Sequence, residues 1–271
     1  LSHLTLDLQL ANLITQQGAT LLTHTKVIDF SPPLHKDGHH FLSLSSGKKI
    51  KAKHVLIATG RLPGYSKASE PRYVGIKAHF SGLNLNSTLH MFSFKDAYLG
   101  IAPVENECAN LACLVTIEQF QRFSSSQHLM QNLISSHPAL HHLLASASNL
   151  FDGWMETFVP HFGLRSNPDW PNTYWIGDAA GTIPPASGNG LSLAITSGYL
   201  AAEFAAKNHP LAFRRAWKRR CAMQIKLAKL LHHLFLHPSW GSKAMSLSHV
   251  FPSMAQNIFA LTRDRGISLN A

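Results

Sequence analysis

The sequence of 271 residues predicts an α/β protein: a doubly wound nucleotide-binding domain, an antiparallel sheet inserted into it, and helices at the C-terminal end. Three observations favour this fold class. Residues 54–58 form a short apolar run that stops at Thr59-Gly60-Arg61, as a buried parallel strand stops at a ligand-facing loop. Residues 72–118 hold several short alternating segments instead. The nucleotide-domain pattern then returns at Thr173.

Composition excludes several other classes of protein. Hydrophobic residues make up 45% of the chain, with 17 Gly and 14 Pro, so neither a disordered nor a collagen-like chain fits. The three cysteines form no CxxC pair and the 18 histidines form no HExxH motif, so we expect no disulfide framework and no metal site. The formal net charge of +10 reflects few acidic residues more than many basic ones, because only 14% of residues are charged.

Local patterns predict the elements of the first half. Residues 4–18 carry apolar side chains at helical spacing and end at a C-cap glycine, Gly18. Residues 41–52 alternate on both sides of a polar turn, which is typical of a hairpin. Residues 118–150 show helical spacing again. Between these segments, short strands are predicted at residues 73–80, 89–94, 98–104 and 110–117.

The second half returns to nucleotide-domain patterning. A strand at 173–176 leads into a Gly/Pro-rich turn and then a small-residue helix from Leu191 to about Lys207. Further helices are predicted from Leu211 to about Leu236 and from about Gly241 to Leu261. The predicted domains are residues 1–71 with 164–207 (nucleotide-binding), 72–163 (inserted sheet) and 208–271 (C-terminal helices).

Residues 174–191 carry the most informative chemistry. Gly177 and Gly181 allow the backbone to approach a ligand closely. Asp178, at the end of a strand, offers acceptors for sugar-like hydroxyl groups. The helix that opens near Gly190 points N–H groups and the positive end of its dipole at whatever lies there. This combination favours a ligand with several hydroxyl groups and a phosphate.

Together with Ala58-Thr59-Gly60-Arg61, this segment resembles the FAD-dependent oxidoreductases of the glutathione-reductase-like class, especially the geranylgeranyl reductase, FixC-like and aromatic hydroxylase or halogenase relatives. The resemblance implies an FAD/NAD(P)-binding domain in which Asp178 binds the flavin ribitol and the following turn lies against the pyrophosphate and the flavin ring. The cofactor-binding residues that it implies are Ala58, Thr59, Gly60, Arg61, Gly177, Asp178, Ala179, Gly181, Pro184, Gly188, Asn189, Gly190 and Leu191.

The same resemblance implies a function. The expected protein is a flavoprotein that uses FAD, with NAD(P)H as a candidate electron donor. It would act as a monooxygenase (hydroxylase) or a reductase on a lipophilic or aromatic small molecule, with the substrate domain at residues 72–163. Hydroxylation and reduction both stay open, and no catalytic residue is assigned.

One family motif is absent from the sequence. No GxGxxG loop, which cradles the FAD pyrophosphate in relatives, occurs in these 271 residues. The chain starts at Leu1 and not at Met, so we expect the first part of the FAD-binding domain to belong to an upstream segment. The alternative is a non-catalytic remnant of a flavoprotein that acts as a binding or scaffold protein.

Residues 214–220 form a basic run that continues to Lys226 and Lys229 on a predicted helix. Such a helix can pack with a solvated basic face or lie on an anionic membrane surface, and both interpretations stay open. A nucleic-acid partner is not expected. No apolar run approaches the ~20 residues of a membrane span, and no signal peptide is recognisable. We therefore expect a cytoplasmic protein, either free or associated with a membrane through the basic helix.

Overall fold

The computed structural model describes residues 2–61, 72–159 and 162–251, together with residues 253, 256, 257, 260 and 261. The chain divides into two compact units. Unit 1 consists of the described residues within 1–21, 69–161 and 233–246, and unit 2 consists of those within 22–68, 162–232 and 247–271. Among the described residues, no helix is both long and apolar enough to cross a membrane.

The secondary structure follows the predicted order of elements. The helices of the described residues are α1 (His3–Gln16), α2 (Ile117–Phe120), α3 (Ser126–Ser136), α4 (Pro138–Leu144), α5 (Gly190–Ala206), α6 (Pro210–Leu236) and α7 (Pro238–Val250). The strands are β1 (Val27–Ser31), β2 (His40–Leu44), β3 (Lys49–Ala52), β4 (Val55–Ile57), β5 (Tyr73–Ser81), β6 (His90–Phe94), β7 (Ala97–Pro103), β8 (Ala109–Thr116), β9 (Ser148–Asn149), β10 (Met155–Val159), β11 (Gly163–Leu164), β12 (Thr173–Trp175) and β13 (Gly181–Thr182).

Unit 1 is built around an antiparallel sheet with the strand order β10-β5-β8-β7-β6, and β9 also pairs with β5. Buried side chains recur at every second position along much of β5, because successive side chains of a strand point to opposite faces. The buried face shares one core with Leu129 and Met130 of α3 and with Leu140 of α4. The antiparallel sheet predicted for this part of the chain is confirmed.

Helix α1 ends at Gln16 and is closed by the predicted glycine, Gly18. Gly18 has a φ of +84°, and the N–H groups of Gly18 and Ala19 donate to the carbonyls of Thr15 and Ile14, each at 3.0 Å. These two bonds form a Schellman motif, which satisfies carbonyls at the helix end and favours glycine at the left-handed position. The helix belongs to unit 1, whereas the predicted nucleotide-binding domain included it. The predicted domain boundaries as a whole stay a prediction.

The centre of unit 2 is a parallel pair of strands, β4 and β12, with Val55 opposite Thr173. The two stretches predicted to share one domain therefore pair directly with each other. Tyr174 of β12 is fully buried in a core that includes Leu193 of α5 and Trp217 of α6. A separate antiparallel sheet, β1-β2-β3, contains the predicted hairpin.

Strand β4 is less buried than its sequence predicts. Val55 and Ile57 are half-buried, and Leu56 is 40% exposed. The reason is that β4 has a single strand neighbour, β12, among the described residues, so its second edge is not covered by the sheet. The fold is therefore confirmed as a mixed α/β architecture, and the doubly wound sheet stays a prediction.

Helices α6 and α7 confirm the predicted helical C-terminal segment. Helix α7 begins slightly earlier than predicted, at Pro238, because proline suits the first turn of a helix. Its predicted end at Leu261 falls in a stretch that is only partly described and stays a prediction. Arg214, the first residue of the basic run, is half-buried: its guanidinium donates to the carbonyl of Pro168 at 3.1 Å and pairs with Asp169 at 3.2 Å.

Candidate functional site

Two loops leave the sheet of unit 2 side by side. Strands β4 and β12 are parallel, so their carboxyl ends lie at the same edge. The N–H group of Ile176 donates to the carbonyl of Ile57 at 3.0 Å, which extends the pairing to the residue before each loop. The β4 loop (residues 58–61) and the β12 loop (residues 177–181) therefore start next to each other. Most of the predicted cofactor-binding residues lie in these two loops.

The β12 loop is held in place by helix α5. Gly177 has a φ of +56°, a conformation that glycine adopts without steric cost. Its N–H group donates to Oγ of Ser197 at 2.8 Å. The hydroxyl of Ser197 is buried and donates in turn to the carbonyl of Ala194, also at 2.8 Å. The path of the loop, and with it the position of Asp178, is thus set by α5 before any ligand binds.

Asp178 lies in a positively charged environment. Its Oδ2 is 3.8 Å from Nε of Arg61. Partial burial raises the pKa of Asp178 above its usual value, and the charges of Arg61 and Arg165 oppose that rise. The side chains of Asp178 and Arg61 are 40% and 35% exposed, so both keep surface that a ligand can reach. Because an ion pair in contact with water is worth little, a ligand can compete with it.

Two residues of the site, Arg165 and Asn167, were missed by sequence reasoning. The backbone N–H of Arg165 donates to the carbonyl of Ala180 at 3.0 Å, and its Nη2 donates to the carbonyl of Arg61 at 3.3 Å. Arg165 therefore connects the β12 loop to the β4 loop. Asn167 donates through Nδ2 to the carbonyl of Ala179 at 2.7 Å. No local pattern marks either residue, because both act through contacts that only the folded chain creates.

Helix α5 begins directly after the Gly/Pro-rich turn. Gly188 has a φ of +65°, and Asn189 occupies the N-cap position without a side-chain capping bond. The first helical hydrogen bond runs from the N–H of Leu193 to the carbonyl of Asn189. The N–H groups of Gly190 and Leu191 precede this bond and point out of the helix end. This end therefore presents donors and the positive end of the helix dipole.

The predicted cofactor-binding residues fall into two groups, both within unit 2. One group occupies the β4 and β12 loops, and the other occupies the turn and the first residues of α5. Ala179, Pro184 and Asn189 are buried, so their side chains support the shape of the loops and offer little surface. Their role in cofactor binding stays a prediction. Among the described residues, no group of three or more His, Cys, Asp or Glu side chains is arranged to hold a metal ion.

The groups at this site suit a ligand that carries both hydroxyl groups and negative charge. Arg61, Arg165 and the N-terminus of α5 supply positive charge, and Asp178 supplies hydrogen-bond acceptors. Gly60 and Gly190 have open space where a Cβ atom would stand. This set of donors, acceptors and open backbone fits the ribitol and pyrophosphate of FAD, the cofactor that the sequence resemblance implies.

No protein-family model matches the chain, and no curated protein matches its sequence. Solved structures do match. The flavin-dependent brominase Bmp2 aligns with a TM-score of 0.74 and 14% identity, over 94% of this chain and 69% of that chain. A flavoprotein/dehydrogenase from Cytophaga hutchinsonii aligns with a TM-score of 0.71 and 15% identity, over 86% of this chain and 61% of that chain. Halogenase PltM, in complex with phloroglucinol and FAD, aligns with a TM-score of 0.64 and 15% identity, over 91% of this chain and 57% of that chain.

These similarities show the fold of the protein. The chain shares the fold of a flavin-dependent brominase, a flavoprotein/dehydrogenase and a halogenase, and it spans between 57% and 69% of the length of the three structures. Substrate and reaction do not follow from a fold, because one fold supports many activities.

Proposed function

We propose that the protein is an FAD-dependent oxidoreductase and that unit 2 supplies one side of its FAD site. The observation that supports this most strongly is the convergence of the β4 loop, the β12 loop and the N-terminus of α5. The β4 loop is more than a hundred residues away in sequence from the β12 loop and α5, yet the N–H of Ile176 bonds the carbonyl of Ile57, and Ser197 of α5 holds Gly177. The occurrence of FAD in the complex of halogenase PltM, which has a similar fold, favours the same cofactor.

Each group at the site has a distinct role in this proposal. Asp178 accepts a hydrogen bond from a ribitol hydroxyl, and the N–H groups of Gly190 and Leu191 interact with the charged or carbonyl-bearing part of the cofactor. Arg61 and Arg165 offset the negative charge of the pyrophosphate. When bound, the flavin supplies the redox chemistry, and the protein contributes position, charge and exclusion of water.

The reaction is proposed to be a hydroxylation or a reduction of a lipophilic or aromatic small molecule, with NAD(P)H as electron donor. The two reactions consume different co-substrates. A hydroxylase takes up dioxygen in step with substrate turnover, whereas a reductase does not. Oxygen-electrode measurements during NAD(P)H oxidation would therefore separate them.

Substitution of Asp178 tests the FAD site directly. A hydrogen bond to a charged group contributes roughly 1.5–3 kcal/mol, so Asp178→Ala should weaken FAD binding by about ten- to a hundredfold. The measurement is a flavin fluorescence titration on the protein, expressed with any residues that precede Leu1 in its gene product. Asp169→Ala is the matched control, because it removes a carboxylate that pairs with Arg214 on the same unit but outside the loops.

Two results would contradict the proposal. One is a wild-type protein that binds no FAD, which would favour the alternative of a non-catalytic remnant with a binding or scaffold role. The other is an Asp178→Ala variant whose FAD affinity equals that of the Asp169→Ala control.

A further inference from the structure

The positive charge of the chain is concentrated in one segment. Residues 204–263 contain ten of the 24 Lys and Arg residues and none of the 14 Asp and Glu residues. The rest of the chain, with 14 residues of each sign, is formally neutral. The whole net charge of +10 therefore arises from this segment, most of which is helix α6 and helix α7.

Most of the described cations of α6 lie on the side of the helix away from the core of unit 2. The core side consists of buried residues such as Phe213, Trp217, Cys221 and Ala228. The opposite side, here called the basic face, is exposed along its length. It comprises Arg215, Lys218, Arg219, Met223, Lys226, Lys229 and Leu230. At about 100° per residue, these seven side chains fall within an arc of about 140°.

The five cations of the basic face form no ion pair with a carboxylate in the part of the chain that the structure describes. Arg214, which does find a carboxylate, lies outside the basic face. Arg215 and Arg219 are four residues apart, a spacing at which like charges destabilise a helix. An anionic surface along this face would remove that repulsion.

The apolar members of the basic face identify the kind of surface. Met223 is 59% exposed and Leu230 is 52% exposed, and both lie between the cations. Apolar side chains gain free energy when they enter the boundary between lipid headgroups and acyl chains. A nucleic-acid backbone offers them no such gain, and the basic face carries no aromatic side chain on which a base would stack.

We propose that the basic face of α6 binds the surface of an anionic phospholipid bilayer. The cations contact the headgroups, and Met223 and Leu230 enter the boundary with the acyl chains. The helix then lies parallel to the membrane while its buried side stays packed in unit 2. This binding does not depend on FAD, so its test and the test of the FAD site are independent.

The first experiment is co-sedimentation of the full chain with vesicles. The chain should bind vesicles of equal parts phosphatidylcholine and phosphatidylserine and should bind pure phosphatidylcholine at least about tenfold more weakly. Binding should fall steeply as salt rises from 0.1 M to 1 M, because the screening length shortens from about 10 Å to about 3 Å. Binding that is indifferent to phosphatidylserine or to salt would overturn the proposal.

The second experiment uses charge-matched variants. Each cation near the surface contributes about fivefold to the partition coefficient, so Arg215→Gln/Arg219→Gln/Lys226→Gln should bind about 100-fold more weakly. The control Lys48→Gln/Lys49→Gln/Lys51→Gln removes the same charge from exposed positions of the β2–β3 hairpin and should keep most of the binding. Equal losses in the two variants would show that net charge, and not the basic face, is responsible, and would overturn the proposal.

The third variant separates a membrane from a nucleic acid. Met223→Ser/Leu230→Ser leaves the charge unchanged and should weaken vesicle binding by about tenfold. A single-stranded RNA oligonucleotide should bind more weakly than the vesicles. Tighter binding to RNA, with an affinity that this variant leaves unchanged, would overturn the membrane proposal in favour of a nucleic-acid partner. Since all substituted positions are exposed, thermal unfolding should confirm that each variant is folded.

Discussion

At the scale of single residues, Asp178, the proposed FAD ligand, carries a cost in stability. Burial raises the pKa of its carboxyl group, which means that the ionised form is less favourable in the folded protein than in the unfolded chain. Arg61 and Arg165 reduce this cost without removing it. A ligand that donates hydrogen bonds to the carboxylate would offset the remainder, which is the behaviour expected of a binding residue.

Asp178→Asn should therefore stabilise the ligand-free protein. Below pH 3.8, the pKa of this carboxyl group in the unfolded chain, the group is protonated in both the folded and the unfolded state. As pH rises above 3.8, a raised pKa in the folded state means that ionisation destabilises the folded protein. Urea unfolding near neutral pH should show a gain of under about 1 kcal/mol, since the side chain is partly solvated. Below pH 3.8 the variant and the wild type should have equal stability. A variant less stable than the wild type at neutral pH would show that the Arg61 ion pair outweighs the cost of burial.

At the scale of elements, helix α1 shows how a local pattern can predict a helix and leave its attachment open. Its leucine spacing and Gly18 predict both the helix and its end. The start of the helix is attached to the turn between β7 and β8 through the carboxylate of Glu105. The N–H of Ser2 and the hydroxyl of Thr5 each donate to this carboxylate at 2.6 Å, and the hydroxyl of Ser2 also donates to it. This contact spans about a hundred residues of sequence, so no local pattern predicts it.

Glu105→Gln should loosen the start of α1. The hydrogen bonds from Ser2 and Thr5 lower the pKa of Glu105 from 4.5 to about 2. A lowered carboxyl pKa stabilises the folded state above pH 4.5, and that contribution is lost as pH falls toward about 2. Hydrogen exchange at the first amides of α1 should be faster in Glu105→Gln than in the wild type at neutral pH, and the difference should vanish near pH 2. Glu107→Gln, in the same turn, is the control; an equal effect from it would refute the role of Glu105.

The same distinction applies to the candidate site. The apolar run before Thr59 and the strand before Gly177 are local signals, and their parallel pairing follows from the fold class that they define. The bracing of the two loops by Arg165 and Ser197 depends on side chains from other segments. The exposure of Leu56 depends on how many strands lie beside β4. An apolar run in the sequence does not reveal how many neighbouring strands there are.

At the scale of the whole molecule, the two units depend on protonation in different ways. In unit 2, the ring of His40 is fully buried and stacks on Phe30 with ring centroids 5.4 Å apart. Its Nε2 donates to the carbonyl of Asn172 at 3.2 Å, and the same carbonyl accepts the N–H of Val55 at 3.1 Å. Asn172 also donates through Nδ2 to the carbonyl of Lys36 at 2.7 Å. His40 and Asn172 thus join the β1-β2-β3 sheet to the strands that position the site.

His40 should make unit 2 sensitive to mild acid. Burial and the nearby His54 lower the pKa of His40 below 6.5, and its Nδ1 has no hydrogen-bond partner among the described residues. Because the unfolded chain takes up a proton at this residue before the folded chain does, stability is lost as pH falls below 6.5 toward the lowered value. Hydrogen exchange measured by mass spectrometry, corrected for its intrinsic pH dependence, should show falling protection factors in peptides of unit 2 over this range, and His40→Gln should remove much of the fall.

Unit 1 contains Glu105, whose stabilising charge is lost only below pH 4.5, so acid should weaken unit 2 before it weakens unit 1. The order follows from the pH at which each loss begins: both groups have a lowered pKa in the folded state, but stability is lost below pH 6.5 at His40 and only below pH 4.5 at Glu105. Protection factors, which correct exchange for its intrinsic pH dependence, should therefore stay constant between pH 6.5 and pH 4.5 in peptides of β5 and β8, while those in peptides of β2 and β12 fall. Simultaneous loss of protection in both units over that range would show that they unfold as one cooperative body, in which case the protonation of His40 would destabilise the entire molecule.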